Sequence, residues 1–151
     1  MHKIKWGIIG SGNIAKAFAH SIKYCQNSEL TSVFGRNSEM VDQFSTKFDI
    51  AAFTDLDEFI SSNNIDAVYI ATPHNSHYFY SLEAIKNNKH VLCEKPLTMN
   101  YLESMTLLNL AKEAELFLME AYMYRTHPQT FNILEHLSLI HISEPTRLGF
   151  I

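Results

Sequence analysis

The chain has 151 residues, 46% hydrophobic and 19% charged, with only five glycines and four prolines; that excludes a disordered, collagen-like or low-complexity chain. A formal net charge of −4 argues against a nucleic-acid partner, since a binder of phosphate backbones needs the opposite sign. Two cysteines, Cys25 and Cys93, cannot make a disulfide framework, the start MHKIKWGIIGSG does not read as a signal peptide, and no apolar run is long enough for a membrane span, so the expectation is a cytoplasmic domain in a reducing compartment.

The elements then follow in order. Ile4–Ile9 predicts a strand that stops at Gly10. Over 13–24, Ile14, Phe18 and Ile22 recur at helical spacing with Ala15 and Ala19 beside them. A second strand over 30–34 ends at Gly35. A helix over Ser38–Phe48 has Ser38 as its predicted N-cap and Met40, Val41 and Phe44 on one face. A short strand at Ala51–Phe53 and a short helix over 55–61 come next. Ala67–Ile70 reads as a buried strand, followed by a helix over 76–87. Strand His90–Cys93, helix 101–115 and strand 116–119 complete the pattern, and a last helix opens near Pro128. Strand and helix alternate six times, and the strands are continuous apolar runs. The predicted fold is α/β, a doubly wound, mostly parallel sheet of the Rossmann type, covered on both faces.

Gly10-Ser11-Gly12-Asn13-Ile14-Ala15 fits G-x-G-x-x-A between the first strand and the first helix, the context that gives the motif meaning. Gly10 permits a tight turn. Gly12, without Cβ, lets a pyrophosphate approach the backbone, and Ala15 lets helix and strand pack closely. The helix N-terminus offers free N–H groups to the anion. The alternative is a plain strand-to-helix turn. At the end of the second strand an NAD site carries a carboxylate for the ribose 2′-OH. Here Val33-Phe34-Gly35-Arg36-Asn37-Ser38 has none, and Arg36 stands 24 positions after Gly12. A guanidinium there suits a 2′-phosphate, with Asn37 and Ser38 as further donors. The cofactor expected is therefore NADP, with NAD as the alternative; a solvated loop arginine is the competing reading of Arg36.

Two further segments follow strands: Ala71-Thr72-Pro73-His74-Asn75-Ser76-His77 and Cys93-Glu94-Lys95-Pro96-Leu97-Thr98. With the glycine turn they resemble the N-terminal domain of the glucose–fructose oxidoreductase / inositol dehydrogenase / MocA family. Glu120-Ala121-Tyr122-Met123-Tyr124-Arg125-Thr126-His127-Pro128-Gln129 is similar to that family's segment after the sixth strand, in the branch of the dihydrodiol and xylose dehydrogenases. The resemblance covers about residues 3–136. It implies an NAD(P)-dependent oxidoreductase acting on sugars, polyols or related carbonyl compounds, with Lys95 beside the nicotinamide and the reacting oxygen. An ammonium there stabilises developing charge and assists proton transfer. On the same resemblance Glu94 orients Lys95 or the nicotinamide side, and Thr72, Pro73 and Asn75 line the nicotinamide ribose. His77 is counted with this cofactor set, although a helix-start histidine more often caps or packs. Arg125, counted with the cofactor set, and His127 sit where that family's segment approaches the substrate region, or they cap and pack, with neither reading favoured. His74 and His77 do not make a metal pair, since nothing nearby completes a ligand set, and Cys93 packs in a strand. A dinucleotide sensor without chemistry is the alternative function.

The tail breaks this pattern. Residues 137–147 match, one for one, the translation of a transposase-type sequencing-library adapter. Residues 1–136 are accordingly read as a nearly complete cofactor domain and 137–151 as read-through to be set aside. The resemblance implies a second, C-terminal substrate domain and a homo-oligomeric full-length parent. On that reading the chain alone is inactive.

Overall fold

The structure, a computed structural model, describes residues 3–139. Six strands form one parallel sheet: β1 (Ile4–Ile9), β2 (Ser28–Phe34), β3 (Ala51–Phe53), β4 (Ala67–Ile70), β5 (His90–Cys93) and β6 (Leu118–Glu120). Their order is β3-β2-β1-β4-β5-β6. The helices are α1 (Asn13–Ser21), α2 (Ser38–Phe48), α3 (Leu56–Ser61), α4 (His77–Lys86), α5 (Tyr101–Glu113) and α6 (Pro128–Leu139). The chain reverses its direction of winding between β1 and β4, which opens a crevice at the carboxyl ends of those two strands.

Neighbouring residues along a strand point to opposite faces, and the core divides accordingly. Ile9, Phe34, Val68, Ile70, Val91 and Cys93 turn to one side, where they meet Phe59 and Ile60 of α3, Tyr80, Ala84 and Ile85 of α4, and Leu107 and Ala111 of α5. Ile8, Val33, Tyr69 and Ala71 turn to the other, against Ala15 and Ala19 of α1 and Val41, Phe44 and Phe48 of α2. Burial on both sides is why β4 reads as an unbroken apolar run, while β1 and β2 are buried only toward their carboxyl ends.

Several element ends differ from expectation. Asn37, not Ser38, caps α2: its side-chain oxygen accepts from Met40 N–H at 3.0 Å. Asp55 likewise stands outside α3 as its cap, accepting from Glu58 N–H at 3.0 Å. The first helix tightens into a 3-10 turn at Ile22–Tyr24, and another 3-10 turn, His74–Ser76, precedes α4. Leu116 does not open β6. Its N–H bonds Ala111 O at 2.8 Å, closing α5 around Glu115, which takes the left-handed φ of 55°. The strand starts two residues later.

The chain divides after Ala121 into two units. The described part of the second holds a 3-10 turn, Met123–Thr126, and α6. The adapter-like residues 137–139 lie within α6; residues 140–151 lie outside the described residues. No helix among the described residues is long and apolar enough to cross a membrane.

Candidate functional site

A cleft of about 370 Å³ opens where the sheet reverses. Gly10, Ser11 and Gly12 from the turn after β1, Arg36 and Asn37 after β2, and Thr72 and Pro73 after β4 all line it. Residues far apart in sequence are gathered there because parallel strands end on one edge.

The two glycines serve different ends. Gly10 has φ +109°, and a Cβ on it would stand 2.6 Å from Ala71 O. The fold itself therefore requires glycine. A Cβ on Gly12 would meet nothing within 4 Å, so the protein's own packing does not demand glycine there. The room it leaves belongs to the cleft, as the approach of a phosphate requires. The helix behind it agrees. α1 has no side-chain cap and no acid in its first turn. In contrast, α2, α3 and α5 are capped by Asn37, Asp55 and Asn100 and carry acids in their first turns. The end of α1 at the cleft thus offers open N–H groups, a positive dipole and no competing carboxylate, features that suit an anion, although α4 shares the uncapped, acid-free start. Ala15 is fully buried, as close packing of α1 on the sheet needs, while Asn13 and Ile14 are exposed and do not line the cleft.

Arg36 is the single charged residue in the lining, and no Asp or Glu joins it. Asn37 spends its side-chain oxygen on the α2 cap but keeps its amide donors. Sequence reasoning missed the apolar walls, Ile9, Phe34, Met40 and Tyr80. It also missed Ser76, whose Oγ lies 2.7 Å from Pro73 O and 2.8 Å from Thr72 Oγ1. That hydroxyl fixes the Thr-Pro turn; its position one helical turn after Thr72 was the available signal.

Glu94 and Lys95 lie outside this cleft, on the loop after β5. Tyr69 Oη donates to Glu94 Oε1 at 2.5 Å. Burial, together with this donation to a carboxylate, holds the Tyr69 phenol well above its ordinary range. The anchor of Glu94 is thus Tyr69, on β4. Lys95 is exposed, and its ammonium has no hydrogen-bond or ion-pair partner among the described residues. The Lys95–Pro96 peptide is cis. Downstream, Leu97 N–H donates to Glu120 Oε1 at 2.8 Å, so the end of β6 holds the same loop.

His77 is fully buried. Its Nδ1 lies 2.7 Å from Pro96 O and its Nε2 2.9 Å from Thr72 O, so neither nitrogen is free for a ligand. Asn75 is exposed and does not line the cleft. Among the described residues no group of three His, Cys, Asp or Glu could hold a metal ion. In the second unit Arg125 is exposed, and His127 Nδ1 accepts from Gln129 N–H at 3.2 Å, at the start of α6.

The chain is 36% identical over 138 residues to scyllo-inositol 2-dehydrogenase (NADP(+)) of Bacillus subtilis, covering 91% of this chain and 42% of that protein. It is 31% identical over 148 residues to D-xylose 1-dehydrogenase (NADP(+)) of Hypocrea jecorina, covering 89% and 38%. The chain therefore spans about two fifths of these relatives' length. Among solved structures, the 3-ketoreductase KijD10 of Actinomadura kijaniata, in complex with NADP and TDP-benzene, superposes with a TM-score of 0.84 at 28% identity, over 91% of this chain and 43% of its own. Residues 4–122 match the family description "Oxidoreductase family, NAD-binding Rossmann fold", and the chain belongs to this Gfo/Idh/MocA family.

Proposed function

We propose that the chain is the cofactor-binding part of an NADP(H)-dependent oxidoreductase acting on a sugar, polyol or related carbonyl compound. The observation that carries the choice of cofactor is Arg36, the one charge on a cleft without a carboxylate. A guanidinium there forks onto a 2′-phosphate, where a carboxylate would select the bare 2′-hydroxyl. The two NADP(+) dehydrogenases and the NADP complex among the similar proteins support the same reading.

A bound nicotinamide would carry the hydride exchanged with the substrate carbon. Within the chain, the open end of α1 holds the pyrophosphate, Arg36 the 2′-phosphate, and Thr72 and Pro73 the ribose side. Lys95 donates a hydrogen bond to the reacting oxygen and stabilises the charge it gains. A free ammonium on a loop fixed at Glu94 by Tyr69 and at Leu97 by Glu120 supports that role. Because the relatives are more than twice as long, the substrate groups and the exclusion of water belong to sequence beyond this chain, and the chain alone turns over little.

Titration of NADP+ and NAD+ into the wild type and Arg36→Ala tests the cofactor. Loss of a charge-assisted bond should weaken NADP+ by about ten- to a hundredfold, leaving NAD+ within about twofold. Unchanged NADP+ affinity in the variant sinks the assignment. Lys95→Ala in the chain extended by downstream coding sequence should lower turnover on aldoses and polyols by about a hundredfold, with NADPH affinity held. Normal turnover in the variant would remove Lys95 from the chemistry, and no turnover in the extended wild type would leave a dinucleotide-binding module.

A further inference from the structure

His77 joins two loops that nothing else in the backbone joins. β4 and β5 stay paired to their ends, where Glu94 N–H bonds Ile70 O at 3.0 Å. Beyond that point no backbone hydrogen bond among the described residues links 72–76 to 95–98. Each loop is fixed by its own partners: Ser76 Oγ on the Thr72-Pro73 turn, and Glu120 and Tyr69 on the Lys95 loop. The fully buried imidazole bridges them, Nε2 on Thr72 O at 2.9 Å and Nδ1 on Pro96 O at 2.7 Å. One of these carbonyls belongs to a residue lining the cleft. The other belongs to the residue next to Lys95.

We infer that His77 is a positioning residue: it clasps the cleft loop to the lysine loop and sets the distance between Thr72 and Lys95. It acts through these two backbones, touching no ligand. An imidazole suits the task because its two ring nitrogens point outward in different directions within one rigid plane and reach two carbonyls at once. A neutral ring donates to only one of them, whereas a doubly protonated ring donates to both. The inference rests on the reading that one dinucleotide spans the cleft and reaches Lys95.

The test is a split between ligand halves. 2′,5′-ADP reaches only the cleft, whereas NADPH extends past Thr72 toward Lys95. Calorimetry on the full chain would compare both ligands in the wild type, His77→Leu, His77→Asn and His77→Gln. The asparagine amide stands in for Nδ1 and the glutamine amide for Nε2, so each keeps one tie. The leucine variant should lose about tenfold in NADPH affinity and no more than twofold in 2′,5′-ADP affinity, with one amide variant recovering part of the loss. Equal weakening of both ligands, or no change in either, overturns the clasp. A second measurement is independent of any ligand and of how the leucine variant folds. In the ¹⁵N,¹³C-labelled wild type, a ring N–H of His77 should show coupling across a hydrogen bond to the carbonyl carbon of Thr72 or Pro96; no coupling to either overturns the inference. A wild type that binds neither ligand would refute the dinucleotide reading, and the couplings alone would then decide the clasp.

Discussion

Cys93 and Lys95 stand two residues apart and differ in everything that decides reactivity. Cys93 is fully buried, and burial pushes its thiol from an ordinary 9.0 up to about 12, with the carboxylates of Glu94 and Glu120 adding to the rise. The thiolate is the reactive form, so Cys93 is inert in the native chain, whereas Cys25 is exposed. Iodoacetamide at pH 8 should therefore modify Cys25 within minutes and Cys93 only in denaturant, as read by intact mass; parallel modification would contradict the burial. The same shift has a sign in stability. Above about pH 8.5 the unfolded thiol releases a proton that the native one keeps, so stability falls as pH rises from there toward about 12. Tyr69, also raised, acts in the same direction. Lys95, by contrast, is exposed, and its ammonium has no partner among the described residues.

At the scale of elements, the glycine turn separates what the fold needs from what a ligand needs. Gly10→Ala forces a side chain into φ +109° against Ala71 O and should cost about 2 kcal/mol or more. Gly12 has φ −74° and open space around its missing Cβ, so Gly12→Ala should leave the thermal midpoint within a degree or two, yet weaken NADPH. Denaturation curves and titrations on the two variants check this; a destabilised Gly12→Ala would show that packing, not a ligand, requires that glycine. The turn was legible in the sequence because a local string and its two flanking elements define it. β4 was legible because burial on both faces leaves no polar alternation, whereas β2 starts two residues before its expected bounds, in polar Ser28 and Glu29. Element ends were less so. Asn37 and Ser38 are both good caps, and only geometry chose between them. Leu116 is apolar like a strand residue, but it serves the last turn of α5. The bridge from His77 to Thr72 and Pro96 was not legible at all, because it depends on two loops meeting in space, and a histidine three residues after another says nothing about a carbonyl 19 residues away.

For the whole molecule, the location of the core decides what a shorter chain would retain. Both apolar clusters, all six strands and every residue lining the cleft lie at or before Ala121, the boundary between the two units. A parallel sheet is stable only when both its faces are covered, and α1 to α5 supply that cover within the first unit. A chain ending at Ala121 should therefore fold cooperatively, with circular dichroism showing the same mixed α/β signature and one thermal transition. Its NADPH affinity then decides the standing of Arg125, which is counted with the cofactor set and which this shorter chain lacks. Affinity within about twofold of the full chain would confine the cofactor site to residues 4–121. A loss of about tenfold or more, in a chain that still folds, matches one charge-assisted contact and would return Arg125 to the site. Failure to fold would show that the segment after Ala121 contributes to the stability of the sheet, against the division seen in the structure.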